Sequence, residues 1–124
     1  MSRPRSPALT DAEARVMSVL WRRHTASVAD VVVALKKTHA VSYSTVQTIL
    51  RILEDKGYVS HEKVARAFIY KPRVNEHQTR RRALRHMAAR LFNGSVSLLV
   101  LNVLEDDQIE PEELSRLKKM IEDA

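Results

Sequence analysis

Cysteine is missing from this 124-residue chain, which excludes disulfides, thiolate-bound metals and thiol nucleophiles. Glycine occurs twice and proline four times. That is too little for a Gly-rich phosphate loop and too little for a loop-dominated or disordered chain. Nowhere does the sequence approach the roughly 20 consecutive apolar residues that a membrane-spanning helix needs. The start, Met1 to Pro7, carries Arg3 and Arg5 but no apolar signal core behind them. The expectation is a soluble, unexported, cytoplasmic protein with no membrane insertion. The five histidines, at positions 24, 39, 61, 77 and 86, form no H-x-x-x-H pair and no cluster with carboxylates at metal-ligand spacing. No hydroxyl stands beside a recognisable base and orienting group. Catalytic residues, metal and cofactor are therefore all expected to be none, and the chain reads as a non-enzyme.

The chain does have apolar residues (44%) and charge (29%) in amounts suited to an ordered, mostly helical protein. Its length allows one compact core with an appendage. The net charge of +6 is unevenly spread: residues 1 to 92 hold 18 Lys/Arg against 7 Asp/Glu, whereas residues 93 to 124 hold 3 against 8. A basic segment attracts phosphate and releases its counterions, and an acidic tail is repelled by the same polyanion. The N-terminal part is thus the one suited to nucleic acid.

Helical periodicity organises the first half. Thr10 and Glu13 make a T-x-x-E capping box ahead of Val16, Met17, Leu20 and Trp21, predicting a helix from about Asp11 to Arg23. Ser27 and Asp30 repeat the device before Val28, Val31, Val32 and Leu35, in a helix ending near Lys37. Ser42 caps a third helix, Tyr43 to Lys56, with Val46, Ile49, Leu50 and Leu53 on one face and Gly57 placed to end it. β-Branched and aromatic residues then mark two short strands, Tyr58 to Val64 and Ala67 to Tyr70, with Pro72 expected to interrupt pairing. Three helices followed by a hairpin is the winged-helix layout, in which the third helix enters the major groove.

Beyond it, Leu84, Met87, Ala88 and Leu91 share one side of a helix from Asn75 to Phe92, and Asn93-Gly94 breaks it. The Arg80 to Arg82 run on this helix suits a solvated face as well as the DNA backbone. Ser95 to Leu104 is apolar nearly all round, broken only by Ser97 and Asn102, so it needs cover on several sides. Pro111, Glu112 and Glu113 open a last amphipathic helix carrying Leu114, Leu117 and Ile121. The fold expected is mostly α: an N-terminal winged helix of three helices plus a two- or three-stranded wing over residues 1–74, and a C-terminal helical dimerisation region over 75–124.

Base reading needs short polar side chains on an outward helix face, so that the backbone comes close, plus a longer group for bidentate contact. Ser44, Thr45, Gln47, Thr48 and Arg51 form that set and avoid the apolar stripe. Lys63 and Arg66, on the hairpin, suit phosphate or the minor groove. The rival reading is a winged-helix module whose third helix docks another protein.

These residues carry a family resemblance. Leu9-Thr10, Glu13, Val16-Met17 and Leu20-Trp21, then Thr45-Val46, Thr48, Leu50, Leu53 and Lys56-Gly57, resemble the penicillinase repressor family of β-lactamase, methicillin-resistance and copper-responsive repressors. Lys63, Arg66 and Tyr70 of the wing, with Phe92, Gly94-Ser95 and Leu99-Val100, extend the likeness over nearly the whole chain. The resemblance implies a homodimer that binds inverted-repeat operator DNA and interlocks through its C-terminal helices, here through Leu98, Leu99, Leu101 and Leu104. It also implies, by analogy with the β-lactam-responsive members, a membrane sensor protease and cleavage between Asn102 and Val103. Three departures stand out. Val103 replaces a common Phe, Ile52 a common Arg, and Ala65 the usual wing Gly. The missing cysteines exclude the copper-sensing mode.

Overall fold

A computed structural model describes residues 8–106 and 108–123, with the backbone alone at Ile121. Arg3, Arg5 and the Ile121 side chain, all invoked above, lie outside the described residues. The described chain folds as α1 (Asp11–Arg23), β1 (Ala26–Ser27), α2 (Val28–Leu35), α3 (Tyr43–Asp55), β2 (Val59–Val64), β3 (Ala67–Pro72), α4 (Glu76–Leu91), α5 (Val96–Leu104) and α6 (Pro111–Glu122). It divides into two units, one ending at Ala83 and one beginning at Leu84.

In the first unit the helix starts are chemically explicit. Thr10 Oγ1 accepts the Glu13 N–H at 3.1 Å, and the Glu13 carboxylate accepts the Thr10 N–H at 2.8 Å. Ser27 and Asp30 do the same for α2 at 3.1 and 3.0 Å. Each box satisfies donors that have no partner within the helix. Val16, Met17, Val19 and Leu20 of α1, Val28, Val31 and Leu35 of α2, and Val46, Leu50 and Leu53 of α3 meet in one core, which Val59 and Tyr70 of the sheet close. Each fully buried side chain of this kind stabilises the fold by about 1.5–3 kcal/mol relative to an exposed one. The α3 helix ends one residue earlier than its sequence pattern suggests, because Gly57 takes φ 85° and turns the chain so that the Tyr58 N–H reaches the Leu53 carbonyl at 2.9 Å.

The sheet has three strands in the order β1-β3-β2, all antiparallel. The two-residue β1 was not legible as a strand. It pairs Ala26 with Tyr70 and Ser27 with Ile69, which puts β3 in the middle. Pro72 does not interrupt pairing as expected: it faces Val59 at the end of β3. The flanking bond runs from the Arg73 N–H to the Tyr58 carbonyl, 2.8 Å, so Val59 and Pro72 form a non-hydrogen-bonded pair. The proline nitrogen is then directed away from β2 and lies beyond Ala26, the first residue of β1, where the ladder needs no donor. The Trp21 indole N–H donates to the Val74 carbonyl at 3.1 Å and fastens the chain leaving the sheet onto α1.

In the second unit, Asn93 (φ 51°) and Gly94 (φ 82°) turn the chain after α4, and the Gly94 N–H returns to the Ala88 carbonyl at 2.9 Å. Ser95 caps α5, accepting the Leu98 N–H at 3.0 Å. Among described side chains here, only Ala88 and Leu99 are buried.

Candidate nucleic-acid interface

The core stripe of α3 determines what its other face can do. With Val46, Leu50 and Leu53 fully buried, the residues between them must point outward. Ser44, Thr45, Thr48 and Arg51 are exposed and Gln47 is half-buried. The structure therefore brings the five predicted helix residues onto one accessible surface. At the helix start, the Ser42 hydroxyl accepts the Thr45 N–H at 3.2 Å, donates to Thr45 Oγ1 at 2.9 Å and lies 3.2 Å from the Ser44 hydroxyl. The Thr45 hydroxyl keeps its proton for an outside acceptor. Thr48 gives its own proton to the Ser44 carbonyl, 3.0 Å away, leaving its methyl and one oxygen as contact groups. Arg51 has no ion pair or hydrogen-bond partner for its guanidinium among the described residues.

The strand register places the wing residues. Pairing of His61 with Tyr70 and of Lys63 with Phe68 puts these four side chains on one sheet face, because successive residues alternate sides. That face meets α3: the His61 Nδ1–H donates to both carboxylate oxygens of Glu54, each at 2.8 Å. The His61 ring also lies 4.8 Å from Phe68 and 5.3 Å from Tyr70, centroid to centroid. Lys63 continues this face and Arg66 occupies the turn, both exposed. The turn places Ala65 at φ 56°, a left-handed conformation that costs a residue with a Cβ roughly 1–2 kcal/mol.

A buried ion pair secures the far end of α3. Lys56 Nζ lies 2.9 Å from Glu13 Oε1, with the two side chains 10% and 6% exposed. The same carboxylate caps α1, so one group joins the start of α1 to the end of α3. Burial pushes the Glu13 carboxyl up, but the Thr10 N–H and the Lys56 ammonium outweigh it and hold the group below its usual range. Tyr70 goes the other way: burial raises its phenol, Glu54 adds to that, and Arg51 opposes it. Glu54 and Arg51 thus both act on one ring.

Sequence reasoning missed Glu54 and His61, which are seven residues apart across the Gly57 turn and carry no recognisable motif. It also missed Tyr43, 55% exposed at the first position of α3, whose place at the edge of the polar face was readable from helical spacing.

Leu98, Leu101 and Val103 of α5 are 43%, 50% and 47% exposed, while Leu99 is 5% exposed. Of the four leucines expected to join two copies, Leu98 and Leu101 are exposed, Leu104 is half-buried and Leu99 is buried. Asn102 is exposed and its amide donates to the Leu98 carbonyl at 2.9 Å.

A sequence model for the family described as penicillinase repressor matches residues 9–123. The chain is 35% identical over 117 residues to the penicillinase repressor of Bacillus licheniformis, covering 94% of this chain and 91% of the relative. To the penicillinase repressor of Staphylococcus aureus it is 24% identical over 112 residues, covering 90% and 89%. Among solved structures it is similar to the solution structure of the DNA binding domain of the repressor BlaI, with 36% identity and a TM-score of 0.52 over 60% of this chain and 90% of that one.

Proposed function

This chain belongs to the penicillinase repressor family, and on that premise we propose that it represses transcription by binding an inverted-repeat operator as a homodimer. The carrying observation is the outward face of α3, with Arg51 unpaired, beside a wing that bears Lys63 and Arg66 on a winged-helix scaffold. Ser44, Thr45, Gln47, Thr48 and Arg51 contact base edges in the major groove. Lys63 and Arg66 contact phosphate or the minor groove. Residues up to about 74 form the reading domain, and residues from 75 onward join two copies.

Pairing is supported by the apolar surface of α5, where Leu98 and Leu101 face solvent and Leu104 is half-covered. Two linked half-sites hold DNA far better than one, because the second contact becomes intramolecular. Repression and pairing are then one event. Derepression follows if a membrane sensor protease leads to cleavage between Asn102 and Val103, since that cut divides α5. A mass spectrum of the chain after co-expression with a cognate protease tests this step, and an intact chain refutes it.

The main test is a gel shift on the promoter upstream of the chain's own gene at several salt concentrations, with sedimentation to fix the stoichiometry. Arg51→Ala is expected to lower operator affinity by about 1–3 kcal/mol with loss of base preference. Lys63→Ala is expected to weaken binding evenly on all DNA and to flatten the salt dependence. Absence of any salt-sensitive shift favours the protein-docking alternative.

A further inference from the structure

Where α3 faces the wing, Glu54 pairs with His61, while Arg51 on the same helix has no ion-pair or hydrogen-bond partner among the described residues. Glu54 follows Arg51 by three residues, a spacing at which opposite charges on a helix surface come together. Yet no pairing of Arg51 with Glu54 occurs within the 4.0 Å that defines an ion pair. Both oxygens of Glu54 are instead held by His61 Nδ1 at 2.8 Å. The imidazole is fixed in turn by the rings of Phe68 and Tyr70, at 4.8 and 5.3 Å. A neutral imidazole carrying its proton on Nδ1 suffices for this contact, since the carboxylate can only accept. Asp55, four residues beyond Arg51, is itself engaged.

We infer that His61 is a positioning residue for DNA reading: by occupying Glu54 it keeps that carboxylate from pairing with Arg51, so the guanidinium stays free to reach a base edge. The idea deepens the proposed base-reading role of α3 and rests on it. Glu54 is only a third exposed, and His61 is similarly placed. With the imidazole gone, the cation one turn away on the helix is Arg51, since Lys56 is held by Glu13. An Arg51–Glu54 pair would have to break before a bidentate contact to guanine forms, and the competition falls on specific DNA far more than on random sequence. Arg51 and Glu54 stand three residues apart on α3, a spacing at which side chains on a helix surface can meet.

The test compares four full-length variants on operator and random DNA: His61→Ala, Glu54→Gln, the double variant, and Arg51→Ala. His61→Ala is expected to weaken operator binding about tenfold with little change on random DNA, the size of one good base contact. Adding Glu54→Gln is expected to restore affinity to within about twofold, because an uncharged amide no longer competes. If His61 merely braces the wing, Glu54→Gln alone is as damaging as His61→Ala and the double variant does not recover; that result overturns the inference. A second reading needs no DNA. The Arg51 side-chain Nε–H resonance of the free protein should move in His61→Ala and return in the double variant, and an unmoved resonance also overturns it. If Arg51→Ala leaves operator affinity unchanged, the base-reading role itself fails, whatever the resonance does.

Discussion

The two units treat their apolar residues in opposite ways. In the first, Val16, Met17, Leu20, Val31, Val46, Leu50 and Leu53 have no solvent exposure, and the starts of α1 and α2 are closed by reciprocal caps. In the second, Leu91, Leu101 and Met120 are 67%, 50% and 63% exposed, and α5 is apolar almost throughout. A chain of one composition class has therefore built one unit that is complete by itself and one that is not. A large contiguous apolar surface is uncommon on a monomer and marks a place where something binds. The contrast teaches that the packed core and the proposed pairing surface lie in different segments, so they can be disturbed separately.

The largest disturbance should come from α5. Leu101→Asp places a carboxylate where pairing is proposed to exclude water, twice per dimer, and an unpaired charge buried in this way costs several kcal/mol. Sedimentation should show a monomer while the first unit keeps its NMR spectrum; an intact dimer would break the comparison. Next is Glu13→Ala, which leaves the Lys56 ammonium buried without its partner and removes a cap, at about 3–5 kcal/mol in urea unfolding. The same carboxyl supplies a pH signature. Its folded value lies below its usual range, so its stabilisation is present above that range and is lost as the pH falls through the folded value. Glu13→Gln should therefore show a shallower loss of stability in acid than the parent.

Leu50→Ala should cost about 2–5 kcal/mol through lost burial and the cavity it leaves. A cost below about 0.5 kcal/mol would mean that the first unit is packed no better than the second. The smallest effect is a gain. Ala65→Gly removes the Cβ at φ 56° and should stabilise the wing by about 1 kcal/mol or less, after the greater chain entropy of glycine in the unfolded state is subtracted. A thermal melt with the midpoint unmoved or lowered would show that the wing carries no such strain.

Much of the outward face of α3 was legible in advance because it is local. Helical spacing alone put Val46, Leu50 and Leu53 on one side and Ser44, Thr45, Thr48 and Arg51 on the other, and the observed burial follows that division. Thr10, Ser27 and Ser42 announced the three helix starts, since a capping side chain acts on a backbone group two or three residues away. Misreadings came where a remote partner decided the outcome. Pro72 looked like the end of pairing, and only the register with Val59 made its missing N–H harmless. Ala26 and Ser27 were too short a run to read as a strand until β3 passed beside them.

By itself the sequence determined the periodic faces, the caps, the charge asymmetry and the family, because each is set by residues near one another along the chain or by the pattern as a whole. Only the tertiary structure decided which charges meet. Lys56 found Glu13 across 43 positions, and His61 found Glu54 across a turn. Pairings of that kind depend on where two elements come to rest against each other, and no spacing in the chain encodes that. The lack of a partner for Arg51 among the described residues, on which the proposed base reading rests, belongs to this second class.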